Sequence, residues 1–139
     1  MRYALIGNCS FQALVSDRAS IDWLCFPRFD SSPVFGALLD ARAGVFDIQP
    51  AADNWSSEQA YLPNTNIVRT TFTEDRGSFE VVDFAPRFKQ YDRHFKPLML
   101  VRRLRRLSGE PAARVLLFYL PMINWIPQTL FFLFCLLFF

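Results

Sequence analysis

The chain has little of what most enzyme sites are built from. One histidine, His94, and three widely spaced cysteines, Cys9, Cys25 and Cys135, stand among 139 residues. A soft-ligand metal centre needs several Cys and His side chains at short spacings, so the sequence predicts no metal site. His94, in Arg93-His94-Phe95-Lys96, reads as a solvated loop residue, and Cys25, between Leu24 and Phe26, as a small buried hydrophobe. A serine or cysteine nucleophile wants a basic partner, and no Gly-x-Ser-x-Gly elbow is present, which sets that class aside. Only five glycines occur, and they lie far apart. There is therefore no phosphate-cradling loop, and no cofactor is expected. With 15 basic against 13 acidic side chains the net charge is +2, which supplies no electrostatic basis for nucleic-acid binding.

Charge is also missing from one end. Every charged residue lies at or before Arg114, whereas residues 115–139 carry none and hold eight of the 23 aromatics. Two compositions share the chain, an ordinary domain over 1–115 and an apolar tail over 116–139. Pro121, Asn124, Pro127 and Gln128 interrupt that tail. The uninterrupted remainder is well short of the roughly 20 apolar residues of a spanning helix, so a membrane location is not expected. At the other end, Arg2 is followed only by Tyr3 to Ile6 before Gly7, Asn8, Cys9 and Ser10 break the apolar run. No secretory leader is read there, and cytoplasmic residence is the expectation.

Short apolar or alternating segments recur between turn signals: residues 3–6, 13–15, 21–26, 45–48, 66–73, 78–84, 98–107 and 114–120. That cadence belongs to antiparallel β structure. Asp17 to Ser20 and Glu74 to Gly77 have hairpin lengths, and Ser108-Gly109-Glu110-Pro111 supplies a third turn. Ser32 as a cap, Pro33 at a first helical position, the largely apolar Val34 to Leu39 and Gly44 as a stop predict one short helix. The expected fold is mainly β: an antiparallel β-sandwich, incomplete, with one short helix.

The run Leu100-Val101-Arg102-Arg103-Leu104-Arg105-Arg106-Leu107 invites a phosphate-tracking reading. Alternation along a strand would instead spread the arginines over both faces, which predicts a sheet position with some of them paired to carboxylates. Among the acidic residues, Asp22, Asp30 and Asp83 are embedded in apolar segments. Trp23 and Trp55 are candidate sugar platforms, although Trp23 lies on a core strand.

Five blocks, taken in order, carry a resemblance: Tyr3-Ala4-Leu5-Ile6-Gly7-Asn8-Cys9, Ala13-Leu14-Val15-Ser16, the stretch from Ser20-Ile21-Asp22-Trp23 through Phe26-Pro27-Arg28-Phe29-Asp30 to Leu39, Tyr61-Leu62-Pro63-Asn64-Thr65-Asn66-Ile67-Val68, and Val81-Val82-Asp83-Phe84-Ala85-Pro86. Together they resemble the amino-terminal domain of the family 15 glycoside hydrolases, the glucoamylase-like and trehalase-like enzymes. The resemblance covers residues 1–115 and implies a sandwich of the supersandwich type. It would pack on a barrel of paired helices that holds two catalytic glutamates and hydrolyses an α-glucosidic bond with inversion. No residue here matches the barrel motifs, so no catalytic residue is assigned, and Glu58, Glu74, Glu80 and Glu110 are not candidates. The chain is expected to be inactive alone, its partner being the helical barrel of a parent enzyme and its contact with an α-glucoside occurring only there. A truncated or frame-shifted product is the expectation for the tail.

Two departures from the family pattern stand out. Ala19 occupies a turn position where the family has glycine, and nothing after residue 115 resembles further family strands. In Pro27-Arg28-Phe29-Asp30, the guanidinium of Arg28 and the carboxylate of Asp30 flank an aromatic, the residue types that hydrogen-bond and stack on sugars. Arg28 and Asp30 are thus the candidate substrate-binding residues. The competing reading pairs them locally, with Phe29 plugging an interface. A different class of function, a free-standing β-module that binds glucan or protein with the apolar tail as an anchor, is the alternative.

Overall fold

The computed structural model describes residues 2–118 and the backbone of a strand at Phe134–Leu137. One sheet contains β1 (Tyr3–Gly7), β2 (Gln12–Ser16), β3 (Ser20–Cys25), β5 (Val45–Pro50) and β12 (Ala113–Phe118) in that spatial order, with β4 (Pro33–Phe35) paired to β3. The second sheet has the order β13-β11-β8-β7-β6, built from β6 (Trp55–Tyr61), β7 (Val68–Glu74), β8 (Gly77–Phe84), β11 (Val101–Gly109) and β13 (Phe134–Leu137). A separate hairpin joins β9 (Phe88–Gln90) to β10 (Arg93–Phe95). Among the described residues, all pairings are antiparallel except β11 with β13. The expected β-sandwich is therefore the observed architecture.

Alternation explains why these segments bury one face. On β7, Val68, Thr70, Phe72 and Glu74 point inward while Arg69 and Thr73 face solvent. Ala4, Ile6, Val15, Ile21, Phe46 and Ile48 of the first sheet meet Val68, Phe72, Phe79, Val81 and Leu104 of the second in one core. Each large side chain buried this way contributes roughly 1.5–3 kcal/mol. The β1–β2 and β7–β8 hairpins keep a continuous register, whereas the β2–β3 ladder shifts at Leu14/Val15.

Arginines of β11 divide between faces as alternation requires. Arg102 points into the core, fully buried, and its guanidinium meets Asp83 directly across the ladder. Arg105 pairs on the outer face with Glu80 at 2.9 Å. The run is thus a sheet element with two of its cations neutralised by carboxylates.

The predicted short helix over residues 33–43 is absent, and three β residues and a tight loop take its place. Val34 and Phe35 are buried because β4 pairs with β3 through Leu24↔Phe35 and Cys25↔Pro33. The loop beyond is closed at its neck by the Gly36 amide donating to the Ala43 carbonyl at 2.8 Å. A helix here would forfeit those ladder bonds, so tertiary pairing overrides the capping signal.

The turn at Ser108–Pro111 joins no hairpin. It carries the chain from β11 in the second sheet to β12 in the first. Gly77 and Gly109 face each other there, and a Cβ on either would lie 2.2 Å from a backbone oxygen, so only glycine fits this approach. β12 runs past residue 115 to Phe118, and the expectations for residues 119–133 lie outside the described residues. Among the described residues, no helix is long and apolar enough to cross a membrane.

Candidate functional site

Several loops converge at one end of the sandwich, some of them from blocks that carried the resemblance. Asn8, at the β1–β2 turn, is 1% exposed and ties two of them together. Its side-chain amide donates to the carbonyls of Pro86 at 3.2 Å and Pro97 at 2.7 Å, while its oxygen accepts from the Ser10 amide at 3.0 Å. All the hydrogen-bonding directions of the amide nitrogen are used, which fixes the turn against the segment after β8. The Asn66 side chain donates to the Gly7 carbonyl, and the Arg87 guanidinium reaches the Cys9 sulfur at 3.1 Å. Cys9 and Asn64 hold positive φ angles of 71° and 58°.

Between these loops lies an open cleft of about 840 Å³, walled by Asn64 to Ile67 on one side and Phe84 to Phe88 on the other. A smaller cleft of about 350 Å³ adjoins it through Gly7, Cys9 and Asn66 and is bounded by Phe11, Gln12 and Phe29. The end of the sandwich thus presents amides, a hydroxyl, a guanidinium and aromatic rings around concave surface, the mixture that small-molecule sites use.

Arg28 and Asp30 form a local pair. The guanidinium donates twice, from Nε to Oδ1 at 2.9 Å and from Nη2 to Oδ2 at 3.0 Å. This bidentate contact holds the Asp30 carboxyl below the ordinary carboxylate value. Both side chains are more than half exposed. Phe29 between them is 63% exposed and lines the smaller cleft, so it fills no interface within the described residues. Arg28 and Asp30 themselves line neither cleft.

A second polar cluster, of which only Asp22 stood out in the sequence, lies in a furrow of about 630 Å³ beside β1 and β3. Asp22 accepts hydrogen bonds from the Tyr3 hydroxyl at 3.0 Å and from the Ser20 hydroxyl. Burial and that bond to Asp22 push the Tyr3 phenol above 10.0. Asp47, opposite Ser20 in the ladder, is buried with one carboxylate oxygen unpartnered. Burial raises its pKa, Arg102 and Arg114 oppose that, and Asp22 adds to it. No sequence signal separated Asp47 from its neighbours, since it occupies an ordinary outward position on β5.

The two tryptophans make no joint platform. Trp23 lies in the first sheet and Trp55 in the second, where Trp55 packs edge-on to Phe72 and carries the Arg18 guanidinium over its ring at 5.7 Å. Two of the glutamates have structural partners: Glu80 pairs with Arg105, and Glu74 accepts from the Ala112 amide at 3.0 Å. His94 is exposed on β10, and Cys25 is buried as expected.

The family described as "Trehalase-like, N-terminal" matches residues 1–124. The chain belongs to this family. Trehalase 1 of Sulfolobus acidocaldarius is 51% identical over 81 residues, 58% of this chain and 14% of that protein. The trehalases of Mycolicibacterium smegmatis and Mycobacterium tuberculosis are each 38% identical, over 58% and 65% of this chain and 12% and 13% of theirs. The matched part is therefore a small fraction of each relative's length. No solved structure matches the chain.

Proposed function

We propose that this trehalase-like domain is the non-catalytic amino-terminal part of a family 15 glycoside hydrolase that cleaves α-glucosidic bonds of trehalose or α-glucans. The observation that carries the reading is the family match over residues 1–124, beside relatives named trehalases that are several times longer than this chain. The catalytic acid and base then belong to polypeptide outside this chain, on the helical barrel against which the sandwich packs. There, one glutamic acid protonates the glycosidic oxygen as the C1–O bond breaks, and a glutamate takes a proton from the water that attacks C1 from the opposite face. Each turn of trehalose yields two glucose molecules with inversion at the attacked carbon. The chain alone is inactive.

In this reading the loop that carries the Arg28–Asp30 pair faces the barrel and closes the pocket rim. Arg28 and Asp30 contact substrate only there. Cytoplasmic residence is part of the proposal, and the free thiols of Cys9 and Cys25 accord with a reducing compartment.

A chimera tests it. The 81 residues of this chain that match Trehalase 1 of Sulfolobus acidocaldarius replace their counterparts in that enzyme, and glucose release from trehalose is measured. Activity within about tenfold of the parent enzyme is expected, a penalty of roughly 1.4 kcal/mol for the foreign interface. A soluble, folded chimera with no turnover contradicts the reading.

A further inference from the structure

We infer that the 840 Å³ cleft at the loop end is itself an α-glucoside site, holding a disaccharide against the Phe88 ring independently of any catalytic barrel. The inference deepens the reading above and rests on it for the class of sugar. Its volume falls inside the range of roughly 300–1,000 Å³ typical of small-ligand pockets. A pyranose is amphipathic. Its C–H face seeks an apolar ring, and its rim of hydroxyls seeks donors and acceptors in the plane of the sugar.

Both requirements meet here. Phe88 forms one wall, half exposed, and its ring is held by Phe95, stacked at 5.6 Å and 15° from across the β9–β10 hairpin. The stack fixes the orientation of the ring before any ligand arrives, which lowers the ordering cost of binding. On the facing wall, Asn64 and Asn66 bring two amides, the Thr65 hydroxyl being held in its turn by the Leu62 carbonyl and the Ile67 amide, and Arg87 adds a guanidinium beside the ring. The Asn66 amide is anchored on the Gly7 carbonyl and Arg87 on Cys9, so these polar groups stand on fixed supports. Asn64 sits at positive φ, a conformation Asn tolerates better than most side chains.

The test titrates the full chain with trehalose and maltotriose, and with cellobiose as a β-linked control, by ligand-observed NMR and calorimetry. Saturable binding of trehalose and maltotriose is expected, with weaker binding of cellobiose. Phe88→Ala is expected to weaken α-glucoside binding by about tenfold or more. Tyr91→Ala, at the hairpin tip and outside the cleft, should leave it unchanged. Circular dichroism establishes that both variants keep the parent's strand signal. Absence of α-glucoside binding by the full chain, or equal binding by Phe88→Ala, overturns the inference. An active chimera combined with a non-binding chain defeats the cleft alone, whereas a binding chain with a folded but inactive chimera defeats the domain reading alone.

Discussion

Arg102 of β11 and Asp83 of β8 stand directly opposite each other in the ladder, both without solvent exposure, and the pair reaches across the core. The guanidinium donates to both Asp83 oxygens at 2.8 and 3.1 Å, to the Phe46 carbonyl at 2.6 Å and to the Ala19 carbonyl, and lies 4.6 Å from the Phe46 ring centre. One side chain therefore ties the second sheet to two strand ends of the first. Removing the arginine leaves a buried carboxylate and two carbonyls without partners. Arg102→Ala is expected to lose about 3–5 kcal/mol in urea unfolding. The double variant Arg102→Met/Asp83→Leu should recover part of that loss, and a double variant no more stable than Arg102→Ala would show the pair to be irrelevant.

Ala19 accepts one of those bonds while holding φ at 52° with its methyl group fully buried. The left-handed conformation costs an alanine roughly 1–2 kcal/mol, which replacement by glycine would recover while losing the burial of about one methyl group, roughly 0.8 kcal/mol. Ala19→Gly should thus stay within about 1 kcal/mol of the parent. A β-branched side chain meets both strain and overpacking, so Ala19→Val should destabilise by about 2–4 kcal/mol. Thermal unfolding of the two variants separates these outcomes.

Asp47 predicts a pH dependence. Its folded pKa is raised above 3.8, chiefly by burial, so the folded state holds its proton more tightly than the unfolded chain does. The associated stability is fully present below the unfolded value and is lost as pH rises through the folded one. Asp47→Asn keeps the neutral form at every pH. Its stability relative to the parent should therefore improve between pH 3 and pH 7, read from parallel denaturant titrations. A difference that stays constant across that range would contradict the assignment.

Tyr61 closes the free edge of β1. Its hydroxyl accepts from the Leu5 amide at 2.7 Å and donates to the Leu5 carbonyl at 3.0 Å, occupying the two groups through which another strand could add. Tyr61→Phe is expected to cost about 1–2 kcal/mol and to speed hydrogen exchange at the Leu5 amide. Unchanged exchange there would place the protection elsewhere.

Within residues 2–118, eight of the strands are legible in the sequence because apolar or alternating residues stand there between turn residues. The others fail for identifiable reasons. Strand β6, Trp-Ser-Ser-Glu-Gln-Ala-Tyr, has no apolar face to alternate and owes its conformation to seven consecutive pairings with β7. Strands β9 and β10 are wholly exposed and pair only with each other. At β4, a proline and a capping serine mimic a helix start, and only the β3 partner decides otherwise. The site shows the same division. Residue types at Arg28 and Asp30 suggested sugar chemistry or a local pair, and the pair is observed, whereas the placement of Phe29 in a cleft wall depends on loop geometry. Nothing in the Gly7-Asn8-Cys9 block announces that Asn8 fastens residues 78 and 89 positions away.

The most direct test of the account is glucose release by the purified full chain supplied with trehalose and maltose, at enzyme concentrations far above those used for a trehalase. No turnover above buffer is the predicted result, because the proposed reading puts the acid and base on other polypeptide. Sustained hydrolysis by this chain alone, abolished by a substitution within residues 2–118, would contradict it.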